Sequence, residues 1–344
     1  MDFILIGFAI LILLGCKYTI PKKQFDDYLG LESSKALRGI MAVAIIFHHI
    51  SETAQGGVLF PFLVHLGYLI VAVFFFLSGY GLFLSYNKKG EDYLKGFWKS
   101  RILSLVVIYL LFTAGYTIWS FVRGNQLTAL DILKSFVNGE PVAINSWYIT
   151  VQVLLYIVFW ISFKIKTKNV NINILLVTIL TGILCVAFKL AGYSSIWYLS
   201  NFAFPFGMVW AKNKEKIDAF MSKRYFTSAI LSLGVFTLFS GIPLGLSYFG
   251  YDIEIVSLIS RFISSTAFVV ILMLILRVIK PSNKIWQKMG DMSLEIYLIH
   301  GAVFWTLKPI IQNDILWTLA TVAISLILAY LCNIVSKQVY KLLK

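Results

Sequence analysis

The 344-residue sequence is poor in charge and in cysteine. Only 13% of its residues are charged and 59% are hydrophobic, whereas soluble domains carry about 25% charged residues. This composition excludes an ordinary soluble domain and indicates a polytopic integral membrane protein. Cys16, Cys185 and Cys332 lie inside apolar runs without paired spacing, so the sequence predicts neither disulfides nor a metal site.

The first apolar stretch lacks the basic residues that precede the apolar region of a secretory signal peptide. It ends in LLGC, which looks like a lipoprotein cleavage box at Cys16. Without a basic segment ahead of it, an uncleaved first transmembrane helix is the better interpretation. The sequence also shows no low-complexity segment and no clear internal repeat.

Apolar runs of about 20 residues, long enough to cross a bilayer, recur along the chain. They predict an all-α fold: a polytopic membrane helical bundle of about 11 transmembrane helices in a single integral-membrane domain, 1–344. We expect an extra first span followed by a ten-helix core over 36–335. The candidate spans are 3–20, 36–54, 59–85, 102–121, 146–163, 171–189, 195–211, 226–247, 257–279, 292–308 and 315–335.

Basic residues alternate between the predicted loops. One set of alternate loops and adjoining helix ends carries 25 of the 30 Lys and Arg residues. The excess of basic residues in cytoplasmic loops then predicts an N-terminus outside and a cytoplasmic C-terminus. The net charge of +14 is spread over short loops, which argues against nucleic acid and favours membrane lipids or a phosphate-bearing substrate as partners.

The stretch LRGIMAVAIIFHHISE, residues 37–52, places ionisable groups inside an apolar run. On a helix, Arg38 and His49 share one face about 16 Å apart, while His48 points about 80° to the side. Ionisable groups in hydrocarbon are costly and normally face a bundle interior or a cavity. His300 lies in a second such run, so the two spans could bring His49 and His300 together, with Glu52 one turn from the histidine pair.

Simpler interpretations remain open at this stage. A lone histidine in a membrane helix often just bonds to a neighbouring helix, which we favour for His48 and His65. Arg38 would serve equally as an anchor at a helix end. A polar cavity within a helical bundle is also typical of a transporter.

Four motifs resemble the acyltransferase-three family of bacterial integral-membrane enzymes that acylate cell-surface glycans. In that family ten residues separate an Arg or Lys at the start of a span from an essential His, which matches Arg38 and His49 here. The other three elements follow in the family's order along nearly the whole chain. They are VFFFLSGYGLFLS at Phe75, Phe76, Ser78 and Gly79; NSWYITVQVLLY at Trp147 and Tyr148; and MSLEIYLIHG at Ser293, Tyr297 and His300.

Two features depart from the family pattern. Members often carry an Arg-x-x-Arg motif after the loop that follows the Ser-Gly element. Here Arg101 matches the first arginine, but Ser104 stands at the place of the second, with Lys99 nearby as a substitute. Most standalone members also begin with the Arg-to-His span, whereas this chain has an added span before it.

The resemblance implies transfer of an acyl group, usually acetyl, from cytoplasmic acyl-CoA to a hydroxyl of a cell-surface or exported glycan or glycolipid. Acetyl-CoA or another acyl-CoA would be a co-substrate, with no bound cofactor, in a bacterial plasma membrane. The alternative is a transporter or flippase for a lipid-linked glycan; the acceptor, the acyl group and the oligomeric state stay open. The roles implied are catalytic for His49, Glu52 and His300, donor-binding for Arg38, Arg101, Lys99, Ser78 and Gly79, and acceptor-side for Trp147, Tyr148 and His48.

Competing structural roles exist for four of these residues. Ser78 and Gly79 are equally consistent with close helix packing, since small residues let membrane helices approach. Trp147 and Tyr148 also suit an interfacial aromatic belt, the interpretation that we slightly favour.

Overall fold

The computed structural model describes residues 1–54, 56–165, 169–251 and 253–342. These residues are mainly helical, with one two-stranded antiparallel sheet formed by β1 (Cys16–Tyr18) and β2 (Ile279–Pro281). The α-helices are α1 (Asp2–Leu14), α2 (Leu31–Ser51), α3 (Gly67–Lys89), α4 (Asp92–Lys95), α5 (Ser104–Val122), α6 (Ala129–Val137), α7 (Trp147–Lys164), α8 (Val170–Leu190), α9 (Ala203–Lys212), α10 (Lys214–Lys223), α11 (Tyr225–Tyr248), α12 (Glu254–Leu276), α13 (Lys284–Asp291), α14 (Ser293–Leu307) and α15 (Asp314–Leu342). Two 3₁₀ turns (Phe60–His65 and Ser195–Trp197) and a π-helical turn (Trp98–Leu103) complete the elements.

Seven helices in the described part of the chain are long and apolar enough to cross a membrane. They are α3, α5 with its π-helical turn, α7, α8, α11, α12 and α15. The sequence-based expectation of a helical membrane bundle is therefore confirmed. Positions 166–168, in the predicted loop between the candidate spans 146–163 and 171–189, lie outside the described residues.

The candidate span 195–211 is not a continuous helix. Its helical part, α9, has 10 residues and so rises about 15 Å, half of a hydrocarbon core of about 30 Å. Trp197 and residues 199–201 just before α9 are buried, and side chains hold this segment in place. Ser200 Oγ donates to the Tyr68 carbonyl and Asn201 Nδ2 to the Trp197 carbonyl. Irregular backbone is tolerated at depth when protein surrounds it, and a hydropathy average over the run does not reveal it.

The expected first span, 3–20, is also shorter in the structure. The α1 helix ends at Leu14, after which β1 pairs with β2, which lies far along the chain at Ile279–Pro281. At the other end of α1 the Asp2 carboxylate accepts the backbone N–H groups of residues 58–60. The added segment is thus tied to the core at both of its ends.

Helix α2 connects the two ends of the bundle and serves to name them. We call the end at Leu31 the cationic end and the end at Ser51 the histidine end, because α2 carries Arg38 towards the former and His48 and His49 towards the latter. Residues near these two termini of α2 carry the candidate site.

The two chain termini lie at opposite ends of the bundle. At the cationic end Lys35 pairs with Asp291 at 2.8 Å, and Asn333 near the C-terminus donates to the Asp291 carbonyl. Asp2 binds the segment that follows the histidine end of α2. A topology with an outside N-terminus and a cytoplasmic C-terminus requires the two chain termini to lie at opposite ends of the bundle. The orientation itself remains a prediction.

Candidate active site

A cavity of about 980 Å³ opens at the cationic end between α2, α3, α5, α7, α14 and α15. Four of the residues expected at the site line it, namely Arg38, Arg101, Ser78 and Tyr148. No aspartate or glutamate occurs among the described residues that line this cavity. Its charge therefore suits an anionic ligand.

Arg38 is the innermost cation of the cavity. It lies two turns into α2, it is half-buried, and its Nε has no hydrogen-bond partner among the described residues. The next residue, Gly39, faces the Trp286 carbonyl so closely that a Cβ would collide with it. The α13 helix therefore packs on the Gly39 face of α2, about 100° around the helix axis from Arg38, which lines the cavity.

Arg101 lies in the π-helical turn that precedes α5. Such turns are rare and often occur at functional sites, since they redirect side chains. Lys99, in the same turn, is exposed and does not line the cavity. Ser104 stands where the family often has its second arginine. Its hydroxyl donates to the Lys99 carbonyl, one turn earlier in the same helical segment, at 2.8 Å.

Ser78 takes part in a polar contact that the motifs did not reveal. Ser78 Oγ donates to Gln152 Oε1 at 3.0 Å, and the Tyr148 hydroxyl donates to the same oxygen at 3.1 Å. All three side chains line the cavity. The sequence does contain a sign of this contact: Gln152 is a lone amide in the apolar run VQVLLY, and an amide inside a membrane helix needs hydrogen-bond partners.

Gly79, expected at the donor site, lies outside the cavity lining and packs against α9. A Cβ on Gly79 would collide with the Phe204 carbonyl oxygen, and a Cβ on Gly207 with the Phe76 carbonyl oxygen. The two glycines let α3 and α9 meet backbone to backbone. The geometry therefore supports the packing interpretation for Gly79.

The histidines come together at the histidine end. The His49 and His300 rings stack with centroids 5.1 Å apart and planes 20° apart. His48 is 4.6 Å from His49, centroid to centroid. Glu52 Oε1 lies 3.3 Å from His49 Nδ1 and 3.5 Å from His48 Nε2. The packing of α2 against α14 thus assembles all three residues expected to be catalytic.

The three histidines differ in their hydrogen bonds. His48 Nδ1 lies 3.0 Å from the Leu63 carbonyl, and its ring packs against Gly67. His300 Nδ1 lies 3.3 Å from the Ile296 carbonyl, while its Nε2 is buried without a hydrogen-bond partner among the described residues. Ligand atoms of His48, His49 and Glu52 lie within 4.8 Å of one another, a spacing that a metal ion could share; the expectation that the site holds no metal stays a prediction.

Aromatic rings connect the cavity with the histidines. Tyr148 and Tyr297 both line the cavity, with centroids 5.2 Å apart, and Tyr297 is 5.8 Å from His300. The Tyr297 hydroxyl donates to the Asn145 carbonyl at 2.5 Å. Tyr148 was expected on the acceptor side; the structure places it in the wall shared with Arg38.

Trp147, the other aromatic residue expected on the acceptor side, is half-buried and does not line the cavity. Its ring lies 6.3 Å from that of Trp197, whose Nε1 donates to the Gly139 carbonyl. Trp147 therefore helps to pack the segment before α7 onto the bundle.

Comparison with known proteins gives one match. A family model described as an acyltransferase domain matches residues 31–335, which run from the first residue of α2 into α15. Searches of curated proteins and of solved structures give no match. The matched region contains the histidine group, the four motifs and most of the cavity lining. The segment before residue 31 and the cavity-lining residues Lys337, Tyr340 and Lys341 near the C-terminus lie outside it. The chain therefore belongs to the acyltransferase-three family of membrane acyl-transferring proteins.

Proposed function

We propose that the protein is a membrane O-acyltransferase that moves an acyl group, normally acetyl, from cytoplasmic acyl-CoA to a hydroxyl of a cell-surface or exported glycan. One observation carries the proposal: a cationic cavity adjoins stacked histidines through two tyrosine rings. A cation-rich cavity without carboxylates suits a polyanionic donor, and paired imidazoles suit proton transfer.

Donor binding would begin at the cationic end. The guanidinium groups of Arg38 and Arg101 form forked hydrogen bonds to phosphate oxygens better than ammonium groups do. Arg38 and His49 are about 16 Å apart along one continuous helix, a separation that an extended pantetheine arm can cover. The thioester would then lie beside Tyr148 and Tyr297, with the acyl carbon directed towards the histidines.

Acyl transfer would use His49 as the general base. Nδ1–H directed at the Glu52 carboxylate leaves Nε2 with its lone pair, as in other oriented histidine bases. The acceptor oxygen attacks the thioester carbonyl and its proton passes to His49. A C–O bond forms, the C–S bond breaks, and the departing thiolate takes the proton from the imidazolium. His300, stacked on His49, would position that ring.

The test compares histidine variants in cells that lack the gene. We expect acyl groups on surface glycan, measured by mass analysis, to return with the wild type and with His65→Ala, a control at an exposed histidine. His49→Ala should lower transfer at least about 100-fold at equal protein level, the usual contribution of a general base. Normal acylation in that variant would reject the role of His49.

The transporter alternative is an outcome of a second test. Purified protein in nanodiscs should bind acetyl-CoA and release free CoA slowly when acceptor is absent. Movement of a lipid-linked glycan without binding of acyl-CoA would replace the acyltransferase proposal.

A further inference from the structure

Two lysines near the C-terminus of α15 line the mouth of the cavity, although no motif includes them. Lys337 and Lys341 are exposed and lie one helical turn apart, which places them on one face of α15. Neither forms an ion pair among the described residues. Both are therefore available to a ligand that enters at the cationic end.

The lysine pair lies next to a wall of the cavity that lacks the second cation of the family pattern. Ser104 occupies that position, and its hydroxyl is bound to the Lys99 carbonyl. Arg101 remains on this wall and lines the same cavity. The neighbouring helix α15 thus supplies cations that the π-helical turn lacks.

Arg38 lies deeper in the cavity than the two lysines do. Arg38 follows the start of α2 by seven residues, or about 10 Å, whereas Lys337 and Lys341 lie in the last turns of α15. An occupant that matches this arrangement carries separate anionic groups at its outer end and an uncharged arm further in. Coenzyme A has that distribution, with a 3′-phosphate on its ribose, then a diphosphate, then neutral pantetheine.

We propose that Lys337 and Lys341 bind the 3′-phosphate of the donor nucleotide, while Arg38 and Arg101 hold the diphosphate. The assignment rests on the proposed acyl-CoA donor. A terminal phosphate at the cavity mouth stays partly hydrated, and flexible, strongly hydrated ammonium groups suit it. The bridging diphosphate would lie deeper, where planar guanidinium groups suit its paired oxygens.

A thermodynamic cycle tests the assignment with full-length protein in nanodiscs. The dissociation constants of acetyl-CoA and of 3′-dephospho-acetyl-CoA are measured by titration calorimetry for the wild type and for Lys337→Ala/Lys341→Ala. We expect the wild type to prefer acetyl-CoA by about tenfold, the value of two exposed charge contacts, and the variant to bind both ligands alike. The matched control is Lys216→Ala/Lys223→Ala, which removes two exposed lysines from α10 at the same end of the bundle. It should keep the tenfold preference.

The outcomes separate this inference from the proposed function. A wild type that binds neither nucleotide would refute the acyl-CoA donor itself. A wild type that binds both ligands, together with a lysine variant that keeps the full preference for the 3′-phosphate, would refute only the lysine assignment. Equal loss of preference in the α10 control would show a general charge effect, which also refutes it.

Discussion

Two glycines of α3, two residues apart, predict opposite responses to alanine. Gly79 faces the backbone of α9, and a Cβ there would overlap the Phe204 carbonyl oxygen. Gly81 lines the cavity, and a Cβ there meets nothing within 4 Å. Comparing the two alanine variants tests whether Gly79 of the Ser-Gly element packs against α9 or contacts the donor.

The magnitudes follow from these contacts. Overpacking a well-fitted interface costs about 1–3 kcal/mol, and replacing a helical glycine by alanine recovers about 0.5–1 kcal/mol. The net range is about 0–2.5 kcal/mol. Because the colliding atom is a backbone oxygen that cannot rotate away, Gly79→Ala should fall in the upper part of that range and lower the free energy of unfolding by about 1–2 kcal/mol. Gly81→Ala, without the collision, should leave it unchanged or raise it by about 0.5–1 kcal/mol.

The assay is thermal melting in nanodiscs followed by tryptophan fluorescence, with acetyl-CoA affinity measured below the melting range. Gly79→Ala should melt at least about 2 °C below the wild type and keep its donor affinity. Melting equal to the wild type combined with a large loss of donor affinity would mean that Gly79 contacts the donor. In that case the packing argument is wrong.

Three further expectations concern charged groups at the cationic end. Asp218→Leu leaves the guanidinium of Arg277, 2% exposed, without its carboxylate at 2.5 Å, and should cost about 3–5 kcal/mol in thermal unfolding. Arg277→Met should cost less, because Asp218 is 20% exposed and can be hydrated; equal losses would contradict this. Arg38→Lys keeps the charge but loses the fork, so acetyl-CoA affinity measured by calorimetry should fall about tenfold at unchanged melting temperature. A hydrogen bond from Lys280 lowers the pKa of the Asp27 carboxyl. The pair therefore stabilises the fold above the ordinary pKa near 3.8 and loses that effect as the pH falls through the lowered value. Between about pH 5 and 3 the melting midpoint of Asp27→Asn should consequently fall less steeply than that of the wild type.

The membrane class and the main helices could be predicted because they depend on local sequence. The apolar run of α2 carries Arg38 and His49 on one face, and the structure keeps it as one helix from Leu31 to Ser51. Hydropathy could not reveal the break before α9, because Ser200 and Asn201 interrupt the helix through bonds to backbone carbonyls. The partner of Ser200, the Tyr68 carbonyl, lies in α3, 132 residues away in sequence.

Contacts between distant segments were not predictable from local pattern. Lys337 and Lys341 read as ordinary basic residues of a cytoplasmic helix end, and only the packing of α15 beside α5 and α14 brings them to the cavity. Pairing of Cys16–Tyr18 with Ile279–Pro281 is equally non-local. Hydropathy averages and motif spacing depend only on residues close together in sequence, so they cannot predict contacts between distant segments.

The choice between the two adjacent histidines shows where spacing and structure converge. Counting ten residues from Arg38 selects His49, and the structure gives that position a physical meaning. His48 lies across from the 3₁₀ turn, with Nδ1 beside the Leu63 carbonyl, whereas His49 stacks on His300 in line with the tyrosines of the cavity. On a helix, one residue of shift turns a side chain by about 100°. A ten-residue interval therefore puts the imidazole on the face where the cavity lies, and a nine-residue interval would direct it at the loop.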